Sequence, residues 1–193
     1  MKVCIFGASS SHLEPVYFSE AEKMGKLLAE AGHEIVFGGG ADGLMGACAR
    51  GAAAAGGRII GIAPRLFDEP GFLLQERCEL ILTDSMAERK EKMFAFGDAF
   101  LALPGGIGTM DEFFEAITLR QLGLLKGAVV LLNTRRFYTP LIAYLEMMTD
   151  QGFMSRNCLS LLRLCDTPEE ALDALLTPVT LTGSIRRLED YTK

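Results

Sequence analysis

The chain lacks several features, each of which would by itself indicate a class of function. It has no tryptophan, and its two histidines, His12 and His33, stand apart without the spacing of a metal site. Its five cysteines are scattered and form no C-x-x-C pair, which argues against a disulfide framework and against a thiolate zinc centre. No apolar run approaches the ~20 residues that span a bilayer, and the first residues do not resemble a signal peptide. We therefore expect a cytoplasmic protein without membrane contact and without a bound metal.

The charge balance disfavours one class of partner. The formal net charge is −6, whereas binding to a nucleic-acid backbone needs a basic face. Hydrophobic residues make up 49% of the chain and charged residues 23%, which is usual for a folded domain. We expect a single domain over residues 1–193 that does not bind nucleic acid. A small anionic ligand stays compatible with this balance, because it needs only a local positive site.

Short apolar runs alternate with longer helical patterns through most of the chain, which is typical of βαβ units. Strands are predicted at residues 2–6, 34–38, 58–64, 79–83, 99–104 and 128–133. Helices are predicted at residues 15–32, 43–57, 85–97, 109–125, 138–152 and 168–176. This order predicts an α/β fold with a Rossmann-like open parallel sheet and helices on both faces.

Glycine-bearing turns follow three of the predicted strands. Gly7 follows the first strand, residues 38–40 follow the second, and residues 105–108 follow the fifth. Ligands of open parallel sheets bind outside the carboxyl ends of the strands, where helices begin. We expect these three turns to lie on one edge of the sheet and to line a single pocket.

The second of these turns leaves three interpretations open. Gly38, Gly40 and Gly43 have the G-x-G-x-x-G spacing of a dinucleotide-binding turn, but no acidic residue ends the next predicted strand. The same glycines also suit close packing of a strand against a helix. As a third possibility, they form one wall of a different nucleotide site.

The third turn, "PGGIGTMDE", has two interpretations. Unpaired N–H groups at a helix N-terminus attract a phosphate. Thr109 and Glu112 also have the spacing of a capping box, in which Glu112 would only cap the helix. The adjacent Asp111 favours a function, because a second carboxylate beside a phosphate cradle is unfavourable unless one of them acts on a nearby atom.

The helix predicted at residues 85–97 precedes this turn, and its charged residues also have two interpretations. Ser85 and Glu88 have the spacing of a capping box, and Met86, Arg89 or Lys90, and Met93 share one face. A solvated charged helix with methionines in the core explains the pattern. Arg89 offers something more, since its planar fork matches a phosphate or a carboxylate bidentately.

Together the motifs resemble the LOG family, cytokinin riboside 5′-monophosphate phosphoribohydrolases that are often labelled lysine decarboxylases in error. The matching stretches are "GASSS", "VFGGGADGLMG", "AERKEKM" and "LPGGIGTMDE", and the resemblance runs over residues 2–180. It implies a Rossmann-like fold, usually a homodimer, and no cofactor or metal. The implied activity is hydrolysis of the N-glycosidic bond of a purine nucleoside 5′-monophosphate, which gives free base and ribose 5-phosphate.

The resemblance also implies roles for particular residues. Arg89 and Glu112 match the pair regarded as catalytic, and a carboxylate suits this chemistry because it stabilises the oxocarbenium-like ribose and accepts a proton from water. The residues implied in substrate binding are Met86, Lys90, Gly105, Gly106, Ile107, Gly108, Thr109, Asp111, Ser9, Gly39 and Gly40.

The chain departs from the plant members of the family at three positions. It has Ala87 where they have His, Gly71 where equal spacing puts a loop Glu, and Asp111 where they usually have a second Glu. These changes concern the base and the ribose more than the phosphate. A non-catalytic carrier of a phosphorylated ligand, like a molybdenum-cofactor carrier, is the alternative function. Lysine decarboxylation would need a Schiff-base lysine for pyridoxal phosphate, and no motif identifies one.

Overall fold

A computed structural model of the chain describes residues 1–177, and its centre is a seven-stranded sheet in which every neighbouring pair is parallel. The strands are β1 (Lys2–Phe6), β2 (Glu34–Phe37), β3 (Ile59–Pro64), β4 (Cys78–Thr83), β5 (Ala99–Ala102), β6 (Val129–Leu132) and β7 (Arg163–Cys165). Their order across the sheet is β4-β3-β2-β1-β5-β6-β7. The predicted parallel sheet is therefore confirmed.

Helices connect the strands and cover the sheet. Among the described residues they are α1 (Pro15–Glu30), α2 (Gly43–Ala54), α3 (Met86–Phe96), α4 (Ile107–Gln121), α5 (Thr139–Asp150) and α6 (Pro168–Leu176). Short 3-10 turns lie at Arg65–Phe67, Thr134–Arg136 and Arg156–Leu161. No helix within residues 1–177 is long and apolar enough to cross a membrane.

Alternate residues of each inner strand point to opposite faces, so the sheet separates two cores. Val3 and Ile5 pack with α1, α2 and α6 on one face. Cys4 and Phe6 pack with α3, α4 and α5 on the other. Strands buried on both sides have near-continuous apolar sequences, which is why they could be recognised from the sequence. The predicted placement of helices on both faces is confirmed.

The edge strand β7 was not among the predicted strands. It has three residues, starts with Arg163 and, within residues 1–177, pairs with β6 alone. A strand this short has too few residues to show an apolar alternation, so only its partner identifies it. The last sixteen residues of the predicted single domain, 178–193, lie outside the described residues, and the extent of the domain stays a prediction.

The strand order creates one switch point. The chain runs outward from β1 to β4 and then crosses back to β5, on the other side of β1. The turns that follow these two strands are joined, since the Ala8 N–H donates to the Pro104 carbonyl at 3.0 Å. In sheets of this kind the crevice between such turns is the usual place for a ligand.

A buried tyrosine that follows β6 forms a hydrogen bond with the chain just after β5. The Tyr138 hydroxyl donates to the Leu103 carbonyl at 2.6 Å, and the Tyr138 N–H donates to Asn133 Oδ1 at 2.8 Å. Burial raises the pKa of Tyr138 well above its usual range, so the hydroxyl stays protonated and acts as a donor. The turn after β6 thereby supports the turn after β5.

Replacing Tyr138 by Phe tests this support. The change leaves a buried carbonyl without its donor, so we expect the free energy of unfolding to fall by about 1–2 kcal/mol. Chemical denaturation followed by circular dichroism measures it. Tyr144→Phe is the matched control, because Tyr144 is exposed on α5 and its loss should change stability by less than about 0.5 kcal/mol. Equal effects of the two changes would contradict the assignment.

Candidate functional site

The most unusual feature beside the switch point is a buried ion pair between α3 and α4. Arg89 Nη1 donates to Glu112 Oε1 at 2.9 Å, across 23 residues of sequence. Arg89 is only 8% exposed and Glu112 only 6%. Removing two charges from water is costly unless they are paired with good geometry. The two residues that the family resemblance singles out are therefore brought into direct contact.

The backbone around Arg89 is shaped to receive its guanidinium. Arg89 Nε donates to the Ile62 carbonyl at the end of β3, at 3.2 Å. A methyl group at Gly38 would overlap Arg89 Nη2, so the position after β2 has room only for glycine while the guanidinium stays in place. The absence of a side chain at Gly38 thus allows the second glycine turn to lie against the Arg89 guanidinium.

Helix α3 begins with the predicted cap. The Glu88 N–H donates to Ser85 Oγ at 3.1 Å, as in a capping box. Glu88 Oε2 accepts from the Asp84 N–H at 2.8 Å, one residue before the position that a regular capping box uses. This cap fixes the first turn of α3 and, with it, the backbone that carries Arg89.

Helix α4 begins two residues earlier than predicted, and of the two interpretations of Thr109 and Glu112 the capping box is wrong. Gly106 is the N-cap residue without a side-chain bond, and the Met110 N–H makes a helical bond to its carbonyl at 3.0 Å. Glu112 therefore lies in the second turn, where its carboxylate reaches Arg89 and not the helix end. A glycine in extended conformation before Ile107 starts the helix instead.

The early start leaves the first N–H groups of α4 without helical acceptors. They belong to Ile107, Gly108 and Thr109, in the turn that carries the glycine motif. A helix N-terminus of this kind carries about half a unit of positive partial charge and attracts anions. The geometry at this turn therefore fits a phosphate.

A cavity of about 280 Å³ joins this helix N-terminus to the buried ion pair. Arg89 and Glu112 both line it. The other lining residues come from the turn after β1, the start of α2 and the start of α4: Gly7, Ala8, Ser9, Met45, Gly106, Ile107, Gly108 and Thr109. One site thus combines an anion-attracting helix end with a buried carboxylate.

The environment of Glu112 acts on its carboxylate in two directions. Burial raises the pKa of Glu112 above its usual value, and the charge of Arg89 opposes that shift. Asp111 raises this pKa further and Lys90 lowers it, both to a smaller extent. The net direction is upward. Burial also raises the pKa of the Cys4 thiol on β1, with a further contribution from the charge of Glu112.

Lys90 and Asp111 form a second, outer link between α3 and α4. Lys90 Nζ lies 2.9 Å from Asp111 Oδ2 and 2.7 Å from Glu115 Oε2. These two hydrogen bonds raise the pKa of Lys90 above its usual value, with the Glu115 bond contributing more. Lys90 and Asp111, both predicted to bind substrate, contact each other here and do not line the cavity.

Three other predicted substrate-binding residues also lie away from the cavity lining. Met86 is exposed at the start of α3. Gly39 accepts a hydrogen bond from the Leu74 N–H at 2.8 Å, and Gly40 forms an isolated bridge with Leu73. Both glycines hold the β3–β4 connection, so the glycine of this turn that touches the site is Gly38. Roles of Gly39, Gly40 and Met86 in binding stay predictions.

The remaining predicted residues are brought together. Ser9, Gly106, Ile107, Gly108 and Thr109 line the cavity, and Gly105 packs against the Thr109 side chain. Gly7 and Ala8, from the turn after β1 that is expected to line a pocket, also belong to the lining, and Met45 is the lining residue for which no role is predicted. Met45 belongs to the stretch "VFGGGADGLMG", whose glycines are interpreted either as close packing or as a wall of a nucleotide site, and nothing in that pattern singles out the methionine.

Fold and site together define a Rossmann-like α/β protein with an anion-attracting cavity beside the switch point of its sheet. The comparison with protein families agrees with the sequence motifs. The family model described as "Possible lysine decarboxylase" matches residues 45–175. The chain belongs to this family, the LOG family, and the resemblance stated from the motifs is confirmed.

Two curated relatives show how much of the chain is shared. The cytokinin riboside 5′-monophosphate phosphoribohydrolase of Rhodococcoides fascians is 39% identical over 163 residues, which cover 84% of this chain and 82% of the relative. The enzyme named cytokinin riboside 5′-monophosphate phosphoribohydrolase LOG of Oryza sativa subsp. japonica is 34% identical over 190 residues, covering 98% and 73%.

Solved structures show the same fold at lower identity. The molybdenum cofactor binding protein of Rippkaea orientalis has a TM-score of 0.69 and 22% identity, covering 89% of this chain and 93% of its own. The molybdenum cofactor carrier protein of Chlamydomonas reinhardtii has a TM-score of 0.68 and 21% identity, covering 90% and 94%. At this identity the likeness shows the fold alone.

A two-step substitution tests whether the ion pair is a matched unit. Glu112→Leu leaves the Arg89 guanidinium buried with the Ile62 carbonyl as its remaining partner, so we expect a loss of about 3–5 kcal/mol in the free energy of unfolding. The double change Arg89→Met with Glu112→Leu removes both charges and should recover most of that loss. Urea denaturation of the three proteins measures it. A double variant that is no more stable than Glu112→Leu would contradict a matched pair.

Proposed function

We propose that the protein hydrolyses the N-glycosidic bond of purine nucleoside 5′-monophosphates, of the cytokinin type or AMP, and releases free base and ribose 5-phosphate. The observation that carries this proposal is the cavity in which the buried Glu112 carboxylate shares one space with the N-terminus of α4. The names of relatives at 34% and 39% identity support the same activity.

The N-terminus of α4 is the proposed phosphate site. The N–H groups of Ile107, Gly108 and Thr109 have no helical acceptors, and the partial charge of the helix adds to their attraction. Binding the phosphate here fixes the nucleotide at a point away from the bond that breaks. On this proposal a nucleotide should be a better substrate than the corresponding nucleoside, because the phosphate contacts contribute to positioning.

Glu112 is the proposed catalytic carboxylate. Breaking the glycosidic bond develops positive charge on the ribose, which a nearby carboxylate stabilises. One oxygen, Oε1, is held by Arg89, and Oε2 accepts no hydrogen bond from the described residues. The second oxygen is therefore available to accept a proton from the attacking water as the water oxygen bonds to the ribose carbon. The electron pair of the broken carbon–nitrogen bond goes to the base nitrogen, which takes up one proton, and the Glu112 carboxyl returns its proton to solvent, directly or by way of the base.

Arg89 has two proposed roles in this arrangement. It lines the cavity, and its hydrogen bond to Oε1 fixes the direction in which the carboxylate points. Its charge also opposes the effect of burial on Glu112, which keeps the carboxylate ionised over a wider pH range. Lys90, Asp111 and Glu115 hold α3 against α4 on the outer side, and so maintain the same geometry.

The homodimer is also part of the proposal. Helix α4 and the turn that follows it expose Phe114 and, at 70% exposure, Leu124. Apolar residues on one helix and its adjoining turn suit an interface between two copies. The predicted cytoplasmic location and the predicted lack of nucleic-acid binding stay predictions, and the net charge of −6 supports the latter.

Base release tests the activity directly. Purified protein should release adenine from AMP, or isopentenyladenine from isopentenyladenosine monophosphate, as measured by chromatography. Glu112→Gln keeps the size of the side chain but removes its charge, so kcat should fall by about 10²–10⁴-fold while the nucleotide still binds. Glu146→Gln, on the exposed side of α5, is the matched control and should leave kcat unchanged.

The same assay can reject the proposal. If the protein releases no base from any purine 5′-monophosphate, hydrolysis is not its function. Mass spectrometry of the native protein then tests the carrier alternative, which predicts a co-purified pterin. The structural likeness to molybdenum-cofactor carriers does not favour that alternative, because at 21–22% identity it reflects the shared fold.

The pH dependence of kcat/KM gives an independent test of Glu112. The reaction needs the ionised carboxylate, so activity is present above the pKa of Glu112 and falls as the pH drops through that raised value. Asp111→Asn removes a charge that raises this pKa, and should move the acidic limb to lower pH. Lys90→Gln removes a charge that lowers it, and should move the limb to higher pH. Because the substrate phosphate titrates identically with every variant, limbs that do not move would exclude Glu112 as the titrating group.

A further inference from the structure

A second cavity opens at the same edge of the sheet, on the other side of the glycine turn after β5. Its volume is about 370 Å³, within the range of small-molecule sites. It shares only Ala8 and Gly106 with the cavity that contains Glu112. Its other lining residues are Ser10, Leu13, Tyr17, Pro104, Gly105 and Phe137. Two ligands can therefore lie side by side along this edge.

The chemistry of this lining differs from that of the Glu112 cavity. None of the described residues that line it carries a charged side chain, and its polar side-chain groups are the hydroxyls of Ser10 and Tyr17. Tyr17 and Phe137 meet edge to face with their ring centroids 6.5 Å apart. Aromatic walls of this kind favour a flat ring, and the absence of charge disfavours a phosphate.

The turn that carries Phe137 is held in an unfavourable backbone conformation. Arg135 and Arg136 have φ values of 57° and 60°, in the left-handed region that non-glycine residues seldom adopt. Asn133 holds the turn in place, because its carbonyl accepts from the Arg136 N–H and its Oδ1 accepts from the Tyr138 N–H. Strained conformations of this kind are often found at ligand sites, where surrounding contacts hold the backbone in place.

The held turn leaves Phe137 42% exposed at the wall of the cavity. The Phe137 ring is fixed on one side by an edge-to-face contact with Tyr138, whose ring centroid lies 5.0 Å away. The backbone geometry and the cavity thus point independently to a ligand that contacts this ring.

We infer that this cavity is a second ligand site, and that it accepts a planar, uncharged heteroaromatic ring such as a free purine base. The choice of a purine rests on the proposed function, since hydrolysis releases such a base in the adjoining cavity, with which this one shares Ala8 and Gly106. A base bound here leaves the Glu112 cavity open. The protein therefore binds its base product without excluding the next nucleotide.

Adenine binding to the complete chain tests the inference. Isothermal titration measures the adenine affinity of the wild type and of Phe137→Ala, which should bind adenine about tenfold more weakly or worse, because a stacking surface is lost. Phe153→Ala is the matched control. Phe153 is 74% exposed after α5, away from both cavities, and its removal should leave the affinity unchanged.

A third variant separates ring stacking from apolar volume. Phe137→Leu keeps an apolar side chain but removes the ring face, so it should also weaken adenine binding. Wild-type affinity in Phe137→Leu would overturn the assignment to a planar ring. Wild-type affinity in Phe137→Ala, or no adenine binding by the wild-type protein, would overturn the site itself. Circular dichroism of each variant shows whether it is folded.

Simultaneous occupancy distinguishes this site from the catalytic one. The part of the adenine affinity that depends on Phe137 should not change when ribose 5-phosphate is present at saturation. The variant Glu112→Gln should bind adenine with the same affinity as the wild type. Competition between adenine and ribose 5-phosphate would overturn the proposal that the two sites are separate. These readouts do not depend on turnover. If the protein binds adenine through Phe137 but releases no base, the proposed hydrolysis is refuted and the second site stands. If it releases base but does not bind adenine through Phe137, the second site is refuted and the proposed hydrolysis stands.

Discussion

The buried contact between Arg89 and Glu112 constrains the structure around it more than any other interaction. Each of the two charges is less than one-tenth exposed, so each needs an oppositely charged partner at a fixed distance. The remaining N–H groups of the guanidinium also need hydrogen-bond acceptors or space. The Ile62 carbonyl satisfies one of these groups, and the missing side chain of Gly38 gives another its space. The ends of β2 and β3 are thereby adapted to a residue on α3, and α4 is held at the position where its N-terminus meets the turn after β1.

The topology of the sheet explains why these parts meet. Because β5 lies next to β1 while β2 to β4 extend the other way, the turns after β1 and β5 face each other, as the hydrogen bond from Ala8 to Pro104 shows. Helix α4 leaves from one of these turns and α2 packs on the other, where the Leu44 N–H donates to the Ala8 carbonyl at 2.8 Å. The cavity therefore lies where strand ends meet helix starts, the usual place for a ligand in such sheets.

Much of the fold could be predicted from the sequence, because strands buried on both faces appear as short apolar runs and helix ends carry their own signals. Gly32, the last residue of the helix predicted at residues 15–32, has a left-handed φ of 76°, which is common just after a helix end. The start of α4 could not be placed, since a glycine N-cap leaves no side-chain signal and the Thr109–Glu112 spacing imitated one. The contact between Arg89 and Glu112 spans 23 residues, and no periodicity predicts a contact between two helices. Their roles came from the resemblance to a family, whereas the contact of Gly38 with Arg89 and the outer partners of Lys90 emerged only from the packing.

The raised pKa of Glu112 and its pairing with Arg89 are two consequences of the same burial. The low polarity that makes the charged carboxylate costly also strengthens its attraction to any positive charge within reach, whether a guanidinium or a developing oxocarbenium ion. Arg89 engages one carboxylate oxygen and leaves the other toward the cavity, so the pair is stable in the resting protein without being fully satisfied. A substrate that develops positive charge beside the free oxygen completes the interaction only as its bond breaks, and that difference between ground state and transition state is what accelerates a reaction.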